Sequence, residues 1–420
     1  MRPDRIEADY LVETAEEPLR AAEAMAGEQS SGTFVAVPGE TAELKRRAAA
    51  EVLKLELVGE VAAPSLPGSS GSRNPRAVIR QAAVTLSWPL DNIGASLPNL
   101  MSTVAGNLFE LRQFSGVRLE QLRLPPIFAE TYGGPRFGIA GTRKLACVPE
   151  RALIGTIVKP SVGLNAQDTA DLVDKLCTAG IDFIKDDELQ SDGPYCPFDA
   201  RARAVMRVVN AHADKSGKKV MFAFNITGDL EQMRQRHDLV FSLGGTCIMT
   251  SINSIGMAAM IEVVRHSRLP IHAHRNGWGY LSRDPALGWS YLAWQKLWRV
   301  AGVDHMHVNG LNNKFSEPDE SVIASARECL TPLEGAKPCT VMPVFSSGQT
   351  ALQVPGTVAA LNCNDLIFAA GGGILAHPDG VGAGVESLRE AFDAVNCGAT
   401  LAEYARTHRP LARALETYSS

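Results

Sequence analysis

Four charged residues in a row, Lys185-Asp186-Asp187-Glu188, close a short apolar run, DFIKDDE (182–188). If that run is a strand, Lys185 and Asp187 share a face, and Glu188 joins them only where the chain turns. Asp186 then points the other way, into structure. Clustered carboxylate oxygens suit a hard cation, Mg²⁺ above all. A lysine buried beside them can lose its proton and act as base or nucleophile. Two further runs end in histidine pairs, His272-Ala-His274-Arg275 and His305-Met-His307, each pair on one face. Such pairs fit metal ligation, or proton transfer combined with anion binding. Lys159-Pro160 closes another run, and Lys314 lies in a Gly/Asn-rich stretch, NGLNNKFSEPDE, suited to a lid over an anion. The last two runs end Ser346-Ser347-Gly348 and Gly371-Gly372-Gly373, where backbone N–H groups can approach a phosphate closely.

The elements that position these groups follow a rhythm. Eight apolar runs recur: 152–160, 182–188, 219–228, 246–253, 269–276, 303–310, 339–348 and 366–374. A helical pattern follows each, such as DTADLVDKLCTAG and ALGWSYLAWQKLWRVAG. Eight strand–helix alternations predict a (β/α)₈ barrel, with an open doubly wound sheet as the competing arrangement. In a barrel the chemistry sits at the C-terminal strand ends, where the charged residues fall. Residues 1–137 break the rhythm. They read strand (RIEADYLVE), helix (EPLRAAEAMAG), strand (TFVAV), helix (TAELKRRAAAEVLKLEL), strand (RAVIRQAAVTLSW), helix (LPNLMSTVAGNLFEL) and strand (VRLEQLRLP). That mixed order predicts a separate α+β domain, ferredoxin-like, over 1–137 and the barrel over 138–420. PPIFAETYGGPRFGIAGTRKLACVPERALIG is expected to link the two.

Composition narrows the classes. The chain has 420 residues, 45% hydrophobic and 21% charged, with a net charge of −5, which excludes disorder and argues against a nucleic-acid or anionic-membrane surface. No run approaches the ~20 apolar residues of a spanning helix. MRPDRIEADYLVET lacks the apolar core of a signal peptide. Eight cysteines without a C-x-x-C pair read as free thiols, so a cytoplasmic location is expected.

Taken together, GTIVKP, GIDFIKDDE, IHAHR, DHMHVNG with Lys314, MPVFSSG and AAGGGILAHP resemble, in this order, the large subunit of ribulose-bisphosphate carboxylase. EQSSGTF and VAGNLFE resemble the N-domain motifs of the same family. The resemblance implies a homodimer whose active sites form between one barrel and the partner's N-domain. It makes Lys185 the lysine that CO₂ converts to a carbamate, holding Mg²⁺ with Asp187 and Glu188. Lys159 resembles the acid/base lysine, and His274 a second proton-transfer group. Arg275, His307 and Ser346 resemble one phosphate cluster, and Thr33, Gly348, Gly371 and Gly372 the other. Lys314 resembles the lid lysine, Glu28 its ion-pair mate from the partner, and Asn107 the partner asparagine that reaches toward metal and substrate.

The departures point away from carboxylation. Ser161 stands where the family has a second lysine, and Ile157 where it has a threonine. Phe34 replaces a tryptophan and Trp278 a histidine. Val308-Asn309-Gly310 replaces Ser-Gly-Thr, and Ser347 a glycine. The resemblance is therefore to the non-carboxylating, RuBisCO-like branch. The expected chemistry is a Mg²⁺-stabilised enediolate on a phosphorylated keto sugar acid, of the 3-oxo-isoapionate 4-phosphate type, by decarboxylation or by transcarboxylation and hydrolysis. The alternative is an enolase or isomerase acting on a methylthio-pentulose phosphate. A true carboxylase and an inactive scaffold rank below both.

Overall fold

A computed structural model describes residues 2–32, 37–70, 77–335 and 337–419. Among the described residues thirteen strands follow in order: β1 (Arg5–Thr14), β2 (Glu51–Val61), β3 (Ile79–Pro89), β4 (Phe114–Arg123), β5 (Leu153–Ile157), β6 (Phe183–Lys185) and β7 (Met221–Asn225). The remainder are β8 (Cys247–Ser251), β9 (Ile271–His274), β10 (Leu287–Trp289), β11 (His305–His307), β12 (Met342–Phe345) and β13 (Ile367–Ala369). The chain forms two compact units. One comprises Met1–Gly134, Gly277–Ala301 and Leu333–Pro338; the other comprises Pro135–Asn276, Gly302–Pro332 and Cys339–Ser420.

The first unit is a five-stranded sheet in the order β10-β4-β1-β3-β2. Helices Pro18–Glu28 and Leu97–Ala105 connect β1 to β2 and β3 to β4, the split βαβ arrangement expected of a ferredoxin-like domain. One segment departs from expectation. The helix foreseen over TAELKRRAAAEVLKLEL stops at Ala48, and Glu51–Val61 is a strand. The chain is extended at Ala49, and β2 then pairs antiparallel with β3 from Glu51↔Ser87 to Val61↔Ile79. Cross-strand hydrogen bonds there outweigh the helical preference of an Ala-, Leu-, Lys- and Glu-rich run. Likewise, the expected helix ALGWSYLAWQKLWRVAG opens with β10, which pairs parallel with β4, and the helix begins only at Tyr291. The TFVAV strand lies almost wholly outside the described residues.

The second unit is a closed parallel barrel in the order β11-β12-β13-β5-β6-β7-β8-β9. The pairs Ile367↔Leu153, Phe368↔Ile154 and Ala369↔Gly155 seal it, which excludes the open sheet. Every barrel-strand residue is buried, because helices cover the outside and side chains fill the inside. Phe183, Met221, Met249, Met342, Val344 and Ile367 form much of the interior core. The linker segment is not irregular. Helix Gly138–Ala146 packs under the barrel, with the backbone N–H groups of Phe137 and Gly138 donating to Asp304 at 2.8 and 2.7 Å. No helix among the described residues is long and apolar enough to cross a membrane.

Candidate active site

The strand ends gather the charged residues at one rim. Parallel pairing of Ile157 with Lys185 sets the end of β5 beside the end of β6. Lys185 is 1% exposed; its Nζ donates to the Asp186 carbonyl at 3.0 Å and lies 3.5 Å from Glu188 Oε2. Burial lowers its pKa, aided by the nearby Lys159 charge and opposed by Glu188 and Asp187. β6 ends at Lys185 and the chain turns after Asp187, which brings Glu188 back toward the lysine. Asp186 faces away, accepting from Arg201 at 3.2 Å and from the Asn225 backbone at 2.9 Å. Lys159 makes an ion pair with Asp187 and donates to Ser161 Oγ at 2.8 Å. Ser161 thus occupies the second-lysine position with a neutral hydroxyl.

His274 reaches the same cluster from β9. The Asn276 backbone N–H and side-chain Oδ1 both lie against its Nδ1, at 3.2 and 3.3 Å, and its Nε2 lies 3.4 Å from Glu188 Oε2. Burial, then the Lys185 charge, lowers the His274 pKa, so the ring is neutral near pH 7. The other histidines divide. His307 Nε2 meets Ser346 Oγ at 2.5 Å, joining β11 to the end of β12. His272 and His305 lie deeper, with ring centroids 6.0 Å apart, both against Phe183. Neither ring nitrogen of His272 has a hydrogen-bond partner among the described residues, and His305 Nε2 meets Thr142 at 2.8 Å. Burial depresses both pKa values, so these two rings are neutral core fillers rather than ligands.

Arg275, Asn309, Ser346 and Ser347 form a second network. Arg275 Nη2 donates to Glu317 at 2.5 Å, and Asn309 Nδ2 donates to the same oxygen at 2.7 Å. Ser347 Oγ donates to Asn309 Oδ1 at 2.8 Å. Glu317 was not singled out by the sequence, where it reads as one acid in a polar loop. Ser347 and Gly348 both adopt positive φ, +73° and +90°, turning the chain at the end of β12. The Lys314 backbone N–H donates to the Ser347 carbonyl at 3.2 Å, so the segment that carries Lys314 is tied to that turn.

The glycines after β13 have separate roles. A Cβ on Gly372 would meet nothing within 4 Å, and one on Gly371 would meet only Ile157 Cδ1 at 3.8 Å. A Cβ on Gly373 would strike the Gln349 backbone. Gly371 and Gly372 therefore border open space, Gly373 serves packing, and Ile157 supplies an apolar wall in place of a threonine.

In the first unit, Asn107 Nδ2 lies 3.4 Å from Glu28 Oε1, so the two residues expected to serve a partner's site are neighbours. Glu28 borders a cleft of about 610 Å³. Elsewhere in this unit Trp278 packs against Tyr291 and Trp294. Thr33 and Phe34 lie outside the described residues.

His237, Asp238 and His266 also sit close enough to suggest a metal site. The Arg268 backbone N–H donates to His237 Nε2 at 3.1 Å, which puts the ring proton on Nδ1, facing Asp238. A metal at Nδ1 would have to displace that proton, so the trio is a hydrogen-bonded cluster.

A closed parallel barrel thus gathers a buried lysine, two carboxylates and a neutral histidine at its C-terminal rim, the arrangement of a barrel enzyme. The chain belongs to the ribulose bisphosphate carboxylase large-chain family: the catalytic-domain model matches residues 138–418 and the N-terminal-domain model residues 8–128. It is 59% identical over 98% of its length, and 99% of the relative's, to a 3-oxo-isoapionate-4-phosphate transcarboxylase/hydrolase from Xanthobacter autotrophicus. It is 41% identical to a 3-oxo-isoapionate-4-phosphate decarboxylase from Rhizobium rhizogenes, over 98% of this chain and 97% of that one. A rubisco-like protein from Burkholderia fungorum superposes with a TM-score of 0.93 at 49% identity, covering 99% of this chain and all of the other.

Proposed function

We propose that this chain cleaves the carboxylate from 3-oxo-isoapionate 4-phosphate, by decarboxylation or by transcarboxylation and hydrolysis, at the barrel rim. The observation that carries the reading is the linked cluster Lys159–Asp187 and Lys185–Glu188–His274, flanked by Arg275, His307 and Ser346 on one side and Gly348, Gly371 and Gly372 on the other. The identity to the Xanthobacter autotrophicus relative supports it.

A Mg²⁺ ion fits this donor set. Asp187 and Glu188 supply hard oxygens, and the desolvated Lys185 amine is primed to add to CO₂, forming an N–C bond and releasing a proton. When bound, the ion would draw electron density from the substrate's ketone oxygen. The chain's own residues do the rest. Two ends of the substrate are anionic, and the rim offers a station for each. Backbone N–H groups at Gly348, Gly371 and Gly372 receive the phosphate, and Lys314 adds charge from the segment above. Arg275, His307 and Ser346 receive the other anion. In a 3-oxo acid the carboxylate lies β to the ketone, so the C–C bond can break with the carboxyl carbon leaving as CO₂ and the electron pair passing to the ketone oxygen. Lys159 then stands where a proton must be delivered to the carbon left behind, its charge held by Asp187. Ile157 gives that carbon an apolar neighbour. The site is completed across a homodimer, where Glu28, Asn107 and Thr33 of the partner would close it.

The test is incubation of purified protein, Mg²⁺ and bicarbonate with carboxyl-labelled 3-oxo-isoapionate 4-phosphate. Loss of label from the substrate is expected. Inertness toward it, with turnover of a methylthio-pentulose phosphate, would sink the reading.

A further inference from the structure

Arg275, the strongest cation of the second network, is already engaged by a carboxylate of the same chain. Its side chain is 5% exposed and that of Glu317 14%, and they meet at 2.5 Å. Glu317 is held on all sides: Asn309 donates to Oε2 at 2.7 Å and Ser321 to Oε1 at 2.9 Å. The Asn313 side chain donates to its carbonyl at 3.0 Å. Through Asn309 the network continues to Ser347, Ser346 and His307. Asn309 and Ser347 are two of the positions where this chain departs from the carboxylase pattern. Those two departures therefore belong to one connected network ending on Arg275, and Glu317 lies three residues beyond Lys314.

A buried guanidinium without a counter-charge is costly, and Glu317 supplies that charge while no substrate is present. A second anion arriving at Arg275 would face Glu317 at close range, where like charges repel. Glu317 occupies Nη2, so an anion that grips the guanidinium through Nη2 must displace it. We propose that Glu317 is an exchangeable counter-ion of Arg275: it yields the guanidinium to a carboxylate or phosphate of the substrate, and its release frees the segment 309–317 that carries Lys314. This rests on the reading above that Arg275 receives a substrate anion. Glu317 acts through Arg275 and is a positioning residue. It sets a threshold, because only an anion that binds Arg275 better than Glu317 does will open the segment.

The experiment measures inorganic phosphate binding to the full-length protein by titration calorimetry, with no substrate. Glu317→Gln keeps the shape and removes the charge. It should bind phosphate about tenfold or more tightly than the wild type, the scale of one charge-assisted hydrogen bond. A purely structural role for Glu317 gives weaker binding, not stronger. The gain should vanish in Glu317→Gln combined with Arg275→Gln, and Glu317→Asp should restore weak binding. Amide exchange in residues 310–317 should rise on adding phosphate to the wild type, and should already be high in Glu317→Gln. If Glu317→Gln does not fold, Ser321→Ala loosens Glu317 without touching Arg275 and should show a smaller gain. Phosphate affinity that is unchanged or weaker in these variants, or a gain that survives loss of Arg275, overturns the proposal. None of these measurements uses the sugar acid, so failure of the substrate assignment and failure of the counter-ion are separately visible.

Discussion

The barrel interior carries a titratable group whose cost can be worked out. His305 lies in β11, fully buried, with Nε2 on Thr142 Oγ1 at 2.8 Å and no partner for Nδ1 among the described residues. Burial lowers its pKa to about 3, whereas an unfolded histidine titrates near 6.5. Between those values the unfolded chain binds a proton that the native barrel refuses, so stability is present above pH 6.5 and is lost as pH falls. From pH 8 to pH 5 the loss is about 1.5 pH units, or about 2 kcal/mol. Asp304, next in sequence, works in the opposite sense. Burial raises its pKa to about 6, so lowering the pH to 5 returns about 1 kcal/mol. The whole-protein profile also carries His272, His274 and His307, whose pKa values burial lowers in the same way, so a difference experiment is used to isolate His305. His305→Gln keeps an amide donor toward Thr142, which itself donates to the Gly138 carbonyl at 2.5 Å. Urea unfolding of both proteins at pH 8 and pH 5 should show the wild type losing about 2 kcal/mol more than the variant over that interval. Identical pH slopes would refute the argument, because the ring would then take up its proton without penalty in the folded barrel.

Replacing Lys185 with Ala should abolish turnover, and wild-type activity should fall on adding a chelator or depleting CO₂; activity indifferent to all three would remove the carbamate from the site. Ribulose 1,5-bisphosphate should not be carboxylated, because Ser161 presents a hydroxyl where the carboxylase pattern has a lysine; acid-stable incorporation of labelled CO₂ would contradict this. Arg275→Lys should lower kcat/KM on a keto-acid phosphate by roughly 1–3 kcal/mol of transition-state stabilisation, the scale of a lost charge-assisted contact, and an unchanged value would break the two-anion argument. Gly373→Ala should destabilise the barrel, since its Cβ would strike the Gln349 backbone, while Gly372→Ala should fold normally and weaken phosphate binding; equal stability losses would erase the distinction between the two glycines.

The barrel and the identity of its polar rim were legible in the sequence because both are local. A strand's period of two places Lys185 and Asp187 on one face whatever surrounds them, and a parallel barrel sends every strand end to one rim. Alternation likewise put Asp186 on the opposite side, where it meets Arg201. What tertiary structure decided are matters of distant partners. Glu51–Val61 reads as the tail of a helix until β3 offers it a ladder, and Leu287–Trp289 reads as helix until β4 does. His272 and His305 share the spacing of His274 and His307, yet depth in the barrel makes the first pair neutral filler and leaves the second near the rim. Glu317 is one acid among several in a polar loop, and only the closure of β9 against β11 and β12 brings Arg275, Asn309 and Ser347 to it. Residue type and spacing determine which groups face the rim; the free energy of burying and pairing them, which depends on neighbours remote in sequence, determines their charge.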